Sequence, residues 1–334
     1  MNTIQLVGQA ITGTNYATQR LFNFSPELVR QTAESFLASG VSELEIPEGV
    51  LNPEGRATDG CDRETLKATI ASLPSETKVV GSYLGGDPTA ETYVKTKKRQ
   101  LDNLVEFFPD MTYAMLHPAR ATASIQAAVD AYAQIAEYAD SLRLGFQLCF
   151  HNHYDSNGET AEQVRTYLDA ISATKLPSLR WGIDTGHSHG MGADYLDVLE
   201  TYAHLIGNAF HIKARVPAFD RVHSGDAYQP ERDIWSNKAE VGGGLYGGFV
   251  NAADPEIVTP FAEVFRIIRE KAKPTNGVVR GAMEIDNPRQ HPRLEAMCGT
   301  LYFKIVHNIK PALSLSCDEI AQRVFAPKIS GKKA

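Results

Sequence analysis

Cysteine is scarce. The 334-residue chain has only Cys61, Cys149, Cys298 and Cys317, far apart and without zinc-finger spacing. That excludes a disulfide scaffold and a cysteine-ligated metal site, and it fits a reduced, cytoplasmic protein. Long apolar runs are missing too: no stretch of about 18 such residues occurs, so no transmembrane helix is expected. The start, Met1-Asn-Thr-Ile-Gln-Leu, lacks the basic and apolar regions of a signal peptide. Basic excess is absent, with 33 Lys+Arg against 40 Asp+Glu and a net charge of −7, which disfavours a nucleic-acid backbone as partner. No glycine-rich dinucleotide fingerprint follows the first strand, which disfavours an open doubly wound sheet. Repeats and low-complexity segments are also lacking.

What remains is a composition of 43% hydrophobic and 22% charged residues, ordinary for a globular chain. Short apolar runs alternate with amphipathic stretches throughout. The runs near Ile4, Ser42–Pro47, Lys78–Leu84, Met111–Leu116, Arg143–Phe150, Trp181–Asp184, Ala209–Lys213 and Val278–Met283 predict eight strands. Between them the spacing predicts about eight helices. Ser25-Pro26-Glu27 opens the first, with Leu28, Ala33 and Leu37 on its apolar side. Ile125, Val129, Tyr132, Ile135 and Tyr138 mark the fourth, Thr160 to Gln163 forms a capping box for the fifth, and Asp194 is placed to cap the sixth. Eight βα units imply a parallel sheet closed as a single-domain (β/α)8 TIM barrel, covering residues 1–334. A Gly- and charge-rich stretch at about 215–255 reads as a lid, and 326–334 as a frayed tail.

Four predicted strands stop abruptly on ligand-type residues. They are Leu144-Gly-Phe-Gln-Leu-Cys-Phe-His-Asn-His153, Trp181-Gly-Ile-Asp-Thr-Gly-His-Ser-His189, Asn208-Ala-Phe-His-Ile-Lys213 and Val278-Val-Arg-Gly-Ala-Met-Glu-Ile-Asp286. Parallel barrel strands finish on one face, so these ends predict one shared site. Asp184, His211 and Glu284 form a mixed oxygen and nitrogen set suited to one divalent cation. Mn²⁺, Mg²⁺, Co²⁺, Fe²⁺ and Zn²⁺ all suit it, and the residue types do not decide among them. Taken singly, each residue reads better as a salt bridge or a satisfied histidine; it is their convergence that points to metal.

On Asp184-Thr-Gly-His187, His211-Ile-Lys213, Glu284-Ile-Asp286 and His151-Asn-His153, the chain resembles the xylose isomerase-like barrels, the sugar phosphate isomerase/epimerase superfamily. The His-Asn-His end is most similar to inosose dehydratase and to the large subunits of C-glycoside-cleaving enzymes. The resemblance implies four protein ligands, three of them Asp184, His211 and Glu284. Epimerases place a Glu at the end of strand five, where this chain has His151. For the fourth ligand Glu159 is preferred, because a hard cation favours oxygen, and His151 is the alternative.

If Glu159 binds the cation, His151 and His153 are left as acid or base. Without a strand-five carboxylate, β-elimination from a keto sugar or keto cyclitol ranks ahead of epimerisation, either as dehydration or as aglycone loss. Lys213 either stabilises an enolate or pairs with Glu284. His187 orients substrate or bonds backbone, His117 contacts substrate, and Glu240 belongs to the lid's polar rim. Arg280 is expected in a barrel ion pair. An abasic-site endonuclease and a non-catalytic sugar-binding subunit rank below. The resemblance also implies an oligomer, in some members with a smaller partner chain.

Overall fold

A computed structural model describes residues 1–10, 26–47, 63–142, 145–153, 156–213, 259–284 and 292–325. The predicted lid with Glu240, the tail and Cys61 lie outside the described residues.

Eight parallel strands alternate with helices. In chain order they are β1 (Thr3–Gln9), α1 (Pro26–Ala38), β2 (Glu43–Pro47), α2 (Arg63–Ser72), β3 (Lys78–Leu84), α3 (Tyr93–Phe107), β4 (Tyr113–Leu116), α4 (Ile125–Leu142) and β5 (Gln147–Phe150). There follow α5 (Ala161–Thr174), β6 (Leu179–Trp181), α6 (Tyr195–Tyr202), β7 (Ala209–Ile212), α7 (Phe261–Lys271), β8 (Val278–Met283) and α8 (Pro292–His307). The strands lie side by side in the order β6-β5-β4-β3-β2-β1-β8-β7. The remaining seam, β6 to β7, is bridged at Trp181 with Ile206 and at Asp184 with His211. There the Ile183 carbonyl accepts the His211 N–H at 2.8 Å and the His211 carbonyl accepts the Thr185 N–H at 3.1 Å. The sheet thus closes as the predicted barrel. None of the described helices is long and apolar enough to cross a membrane.

The main core lies between strands and helices, with outward residues such as Leu6, Leu44, Leu148 and Phe210 packed on the helix faces. The opposite parity of each strand faces inward, since alternate residues share a face. Those inward positions form tiers. Arg280 donates to Glu43 at 2.8 Å and to Thr112 at 3.3 Å, the ion pair expected of Arg280. Val7, Val80, Tyr113, Met115, Cys149, Ala209 and Ala282 make an apolar tier. Two residues further along several of these strands come Gln9, His117, His151, His211 and Glu284, and Asp184 joins them from beyond the end of β6. Side-chain parity therefore delivers the polar residues to one mouth without any loop having to reach inward.

Local chemistry explains most boundaries. The capping box at α5 is complete: the Thr160 hydroxyl accepts from the Gln163 amide, and the Gln163 side chain accepts from Thr160. Several expectations are corrected. Strand six ends at Trp181 rather than beginning there, because Gly182 and the turn after Asp184 leave the extended ladder. Asp194 makes no side-chain cap; its carboxylate accepts from Arg165 at 3.2 Å instead. The buried face of α1 is Val29, Ala33 and Phe36, with Leu28 and Leu37 only half-buried. A short β9 (Lys310–Pro311) beside β1 and a helix α9 (Cys317–Phe325) packed against α1 were not anticipated.

Barrel closure demands close approach at Gly81. A Cβ there would lie 2.0 Å from the Tyr113 ring, which is wholly buried. Gly81→Ala is expected to lower stability by about 1–3 kcal/mol, the usual cost of overpacking a tight interior. Urea denaturation of the purified variant measures it; an unchanged midpoint would contradict this packing.

Candidate metal centre

The cluster is built around one carboxylate. Asp184 is completely buried. Its Oδ1 accepts the amides of Gly186 at 2.7 Å and His187 at 2.8 Å, so the turn of Asp184-Thr-Gly-His187 wraps around that oxygen. Its Oδ2 has no hydrogen-bond partner among the described residues. Around Oδ2 stand His151 Nε2 at 3.8 Å, His187 Nε2 at 3.8 Å, His211 Nδ1 at 3.9 Å and Lys213 Nζ at 3.7 Å. These distances are ion-pair range rather than hydrogen bonds.

Each neighbour is held by its own strand end. His151 follows β5, and its amide donates to the Leu116 carbonyl at 2.9 Å. Its Nδ1 is a second buried polar atom with no partner among the described residues. Asn152 turns away from the mouth and braces β6: its Oδ1 accepts the Asp184 amide at 3.1 Å and the Trp181 indole N–H at 3.2 Å. His211, on β7, places Nδ1 2.8 Å from Glu284 Oε2 and Nε2 3.0 Å from Glu45 Oε2. Lys213 donates to Glu284 at 2.9 Å and stands 3.1 Å from His187 Nε2. Thr185 locks this end of β7, accepting the Lys213 amide at 2.8 Å and donating its hydroxyl to the Lys213 carbonyl at 2.9 Å. Of the two roles weighed for Lys213, the pairing with Glu284 is therefore present, and it leaves the ammonium inside the cluster.

Among the described residues, two groups of side chains are close enough to share an ion: His151, Asp184 and His211, and His151, His153 and His187. Glu284 adjoins the first through His211. Glu159 belongs to neither group; its Cγ packs toward Gly190, and its amide donates to Gln163 at 3.2 Å. His153 is half-buried at the rim, with its ring 4.0 Å from that of His187 and 4.6 Å from that of His117. His117 bonds the Pro118 carbonyl through Nδ1 at 2.8 Å.

Electrostatics follow from burial. Burial pushes Asp184 up to about 6, partly offset by Lys213. His151 and His187 are held well below the usual imidazole range, by burial first and then by neighbouring positive charge. Burial also acts to lower His211, but Glu45 and Glu284 outweigh it and bring that imidazole up to about 10. The cluster thus contains neutral imidazoles, a partnerless carboxylate oxygen and a second carboxylate. That donor set, with two buried atoms lacking partners, fits a first-row divalent cation.

Three residues went unnoticed in the sequence. Glu45 and Tyr83 sit on β2 and β3, and Asn152 was passed over between two histidines. Tyr83 stacks edge-on to His151 with 5.4 Å between ring centres. The available signal was parity: Glu43 and Glu45 alternate within Ser42-Glu-Leu-Glu-Ile-Pro47, an odd choice for a strand whose every residue is buried.

No family model matches the chain, and no curated protein does. Solved structures do. A probable 3-DHS dehydratase, AsbF, of petrobactin synthesis in Bacillus anthracis aligns at 16% identity over 89% of this chain and 98% of its own, with a TM-score of 0.58. The IOLI protein with a bound zinc atom aligns at 10% identity over 91% and 99%, with a TM-score of 0.59. A D-allulose 3-epimerase from Methylomonas sp., in complex with D-allulose, aligns at 14% identity over 91% and 97%, with a TM-score of 0.57. A xylose isomerase domain containing protein from Salmonella typhimurium aligns at 12% identity with a TM-score of 0.56. At such identities the shared property is the fold.

His211 links this cluster to stability. A folded-state value near 10 against an ordinary 6.5 means its paired charge stabilises fully below pH 6.5 and that contribution is lost as pH rises toward 10. In chelator-treated protein the urea midpoint is expected to fall between pH 7 and 9, and His211→Gln to flatten that slope. Equal slopes for the two proteins would contradict the assignment.

Proposed function

We propose that this barrel, which shares the xylose isomerase-like fold, is a divalent-cation-dependent lyase acting on a keto sugar or keto cyclitol. One observation carries the reading: strand five ends in His151, an imidazole, beside Asp184 and His211. His151, Asp184, His211 and Glu284 are the proposed ligands. His151 takes the place given to Glu159 on sequence grounds, since Glu159 stands apart from the group. A set of two imidazoles and two carboxylates favours Mn²⁺, Fe²⁺, Co²⁺ or Zn²⁺ over Mg²⁺.

When bound, the cation supplies Lewis acidity, polarising a ketone oxygen and acidifying the adjacent C–H. The protein's own groups do the rest. His153, neighbouring His187 and His117 at the rim, takes the carbon-bound proton. The C–H electron pair moves into the enolate, whose oxygen faces the ammonium of Lys213. Collapse of the enolate breaks the bond to the group one carbon further on, which leaves as water or an aglycone after taking up the proton that His153 removed from carbon. His187, kept neutral and against Lys213, orients the ammonium and the substrate. His117 completes the rim on the substrate side.

Elimination is favoured over epimerisation on chemistry. In the resemblance drawn from the motifs, epimerisation uses two carboxylates facing each other across the substrate. Here one of those positions carries a histidine, so a symmetric exchange of protons between two faces lacks its second carboxylate.

A cation-supplemented screen of 3-keto glycosides, inososes and ketoses in D₂O, read by mass spectrometry, is expected to show loss of water or aglycone. A deuterium-labelled sugar of unchanged composition would overturn elimination in favour of epimerisation. Lys213→Met is expected to lower turnover by about 100-fold or more, and His153→Gln by about 100-fold to 10,000-fold. Wild-type rates in both variants would remove these roles.

A further inference from the structure

Glu45 is a fully buried carboxylate on β2 that is not itself among the proposed ligands. A carboxylate removed from water is costly unless its oxygens are matched. Both of these are: Gln9 Nε2 donates to Oε1 at 3.0 Å, and His211 Nε2 lies 3.0 Å from Oε2. The nearby Tyr113 phenol is held well above its usual range by burial and then by the charge of Glu45. A carboxylate has only lone pairs to offer. The His211 nitrogen facing it must therefore carry the proton.

The other nitrogen faces a carboxylate as well, so without a cation it too carries a proton, and a cation bound there takes that proton's place. Nδ1 faces Glu284 at 2.8 Å and Asp184 at 3.9 Å. We infer that Glu45 is a positioning residue that ties up His211 Nε2–H, so that His211 presents Nδ1 to a cation at Asp184 and Glu284. Gln9 orients Glu45 in turn, giving a relay from β1 through β2 to β7 across the barrel interior. The inference rests on reading this cluster as a cation site. Its general logic is that a ligating imidazole donates its second N–H to a partner that sets ring orientation and raises basicity. Glu45 lies 166 residues from His211, and no motif joins them.

The test uses full-length protein with ¹⁵N-labelled histidine, Zn²⁺ as the probe, and chelator competition. In wild type, His211 is expected to show a slowly exchanging Nε2–H and a metal-shifted Nδ1. Glu45→Gln keeps an acceptor oxygen but removes the charge, and is expected to weaken Zn²⁺ binding about 10- to 100-fold. Glu45→Leu is expected to weaken it at least as much and to lose the protected Nε2–H. Should Glu45→Leu fail to fold, by circular dichroism, Glu45→Gln carries the comparison. Zn²⁺ affinity within twofold of wild type in the folded variants, or a His211 that binds through Nε2, would overturn the proposal. Failure of wild type to bind Zn²⁺ would overturn the cation reading and this inference with it. A protected His211 Nε2–H in that protein would then mark only a structural hydrogen bond.

Discussion

One buried carboxylate constrains the rest of the mouth. Asp184 sits out of water with one oxygen filled by the amides of its own turn and the other left toward three imidazoles and an ammonium. An isolated charge in such a place is unfavourable, and burial accordingly raises its affinity for a proton. Every nearby feature can be understood as an answer to that oxygen. Lys213 approaches it, the histidines ring it, and Thr185 and Asn152 hold the two strand ends at the right height.

The polar relays also explain why the site tolerates so much burial. Glu284 is shared by His211 and Lys213, Lys213 by Glu284 and His187, and Glu45 by Gln9 and His211. The charged atoms of these relays are matched, as a low-dielectric interior requires, while Asp184 Oδ2, His151 Nδ1 and Gln9 Oε1 are left without partners among the described residues. Below them, the apolar tier of Val7, Val80, Met115, Cys149, Ala209 and Ala282 separates this network from the Arg280–Glu43 pair. On β2 the two levels adjoin, since Glu43 and Glu45 are successive inward residues, and groups of both act on the Tyr113 phenol.

Much of this was legible in the chain. The eight-unit alternation is written in short apolar runs, and strands β3 and β8 begin and end where their composition says they should. The convergence of Asp184, His211 and Glu284 follows from strand ends and parity alone. What was hidden depends on contacts across the barrel. Glu45 belongs to β2, whose sequence carries no ligand motif, and only closure of the sheet brings it to His211. Which of His151 and Glu159 lies nearer Asp184 and His211 was similarly opaque, because it turns on where the chain runs after β5 and not on residue type. Asp194 had the right chemistry for a cap, but Arg165 from the neighbouring helix competed for its carboxylate.

The seam of the barrel carries a final implication. Strand β6 contributes three residues to the ladder, and beyond them β6 and β7 are joined largely through Ile183, Asp184, Thr185 and His211. The weakest stave-to-stave joint is thus made of the residues that converge at the mouth. An ion gripping Asp184 and His211 from the inside would act as a rivet across that joint. Occupancy of the centre and mechanical integrity of the wall are then one property, and a chain stripped of its ion should begin to come apart along this line.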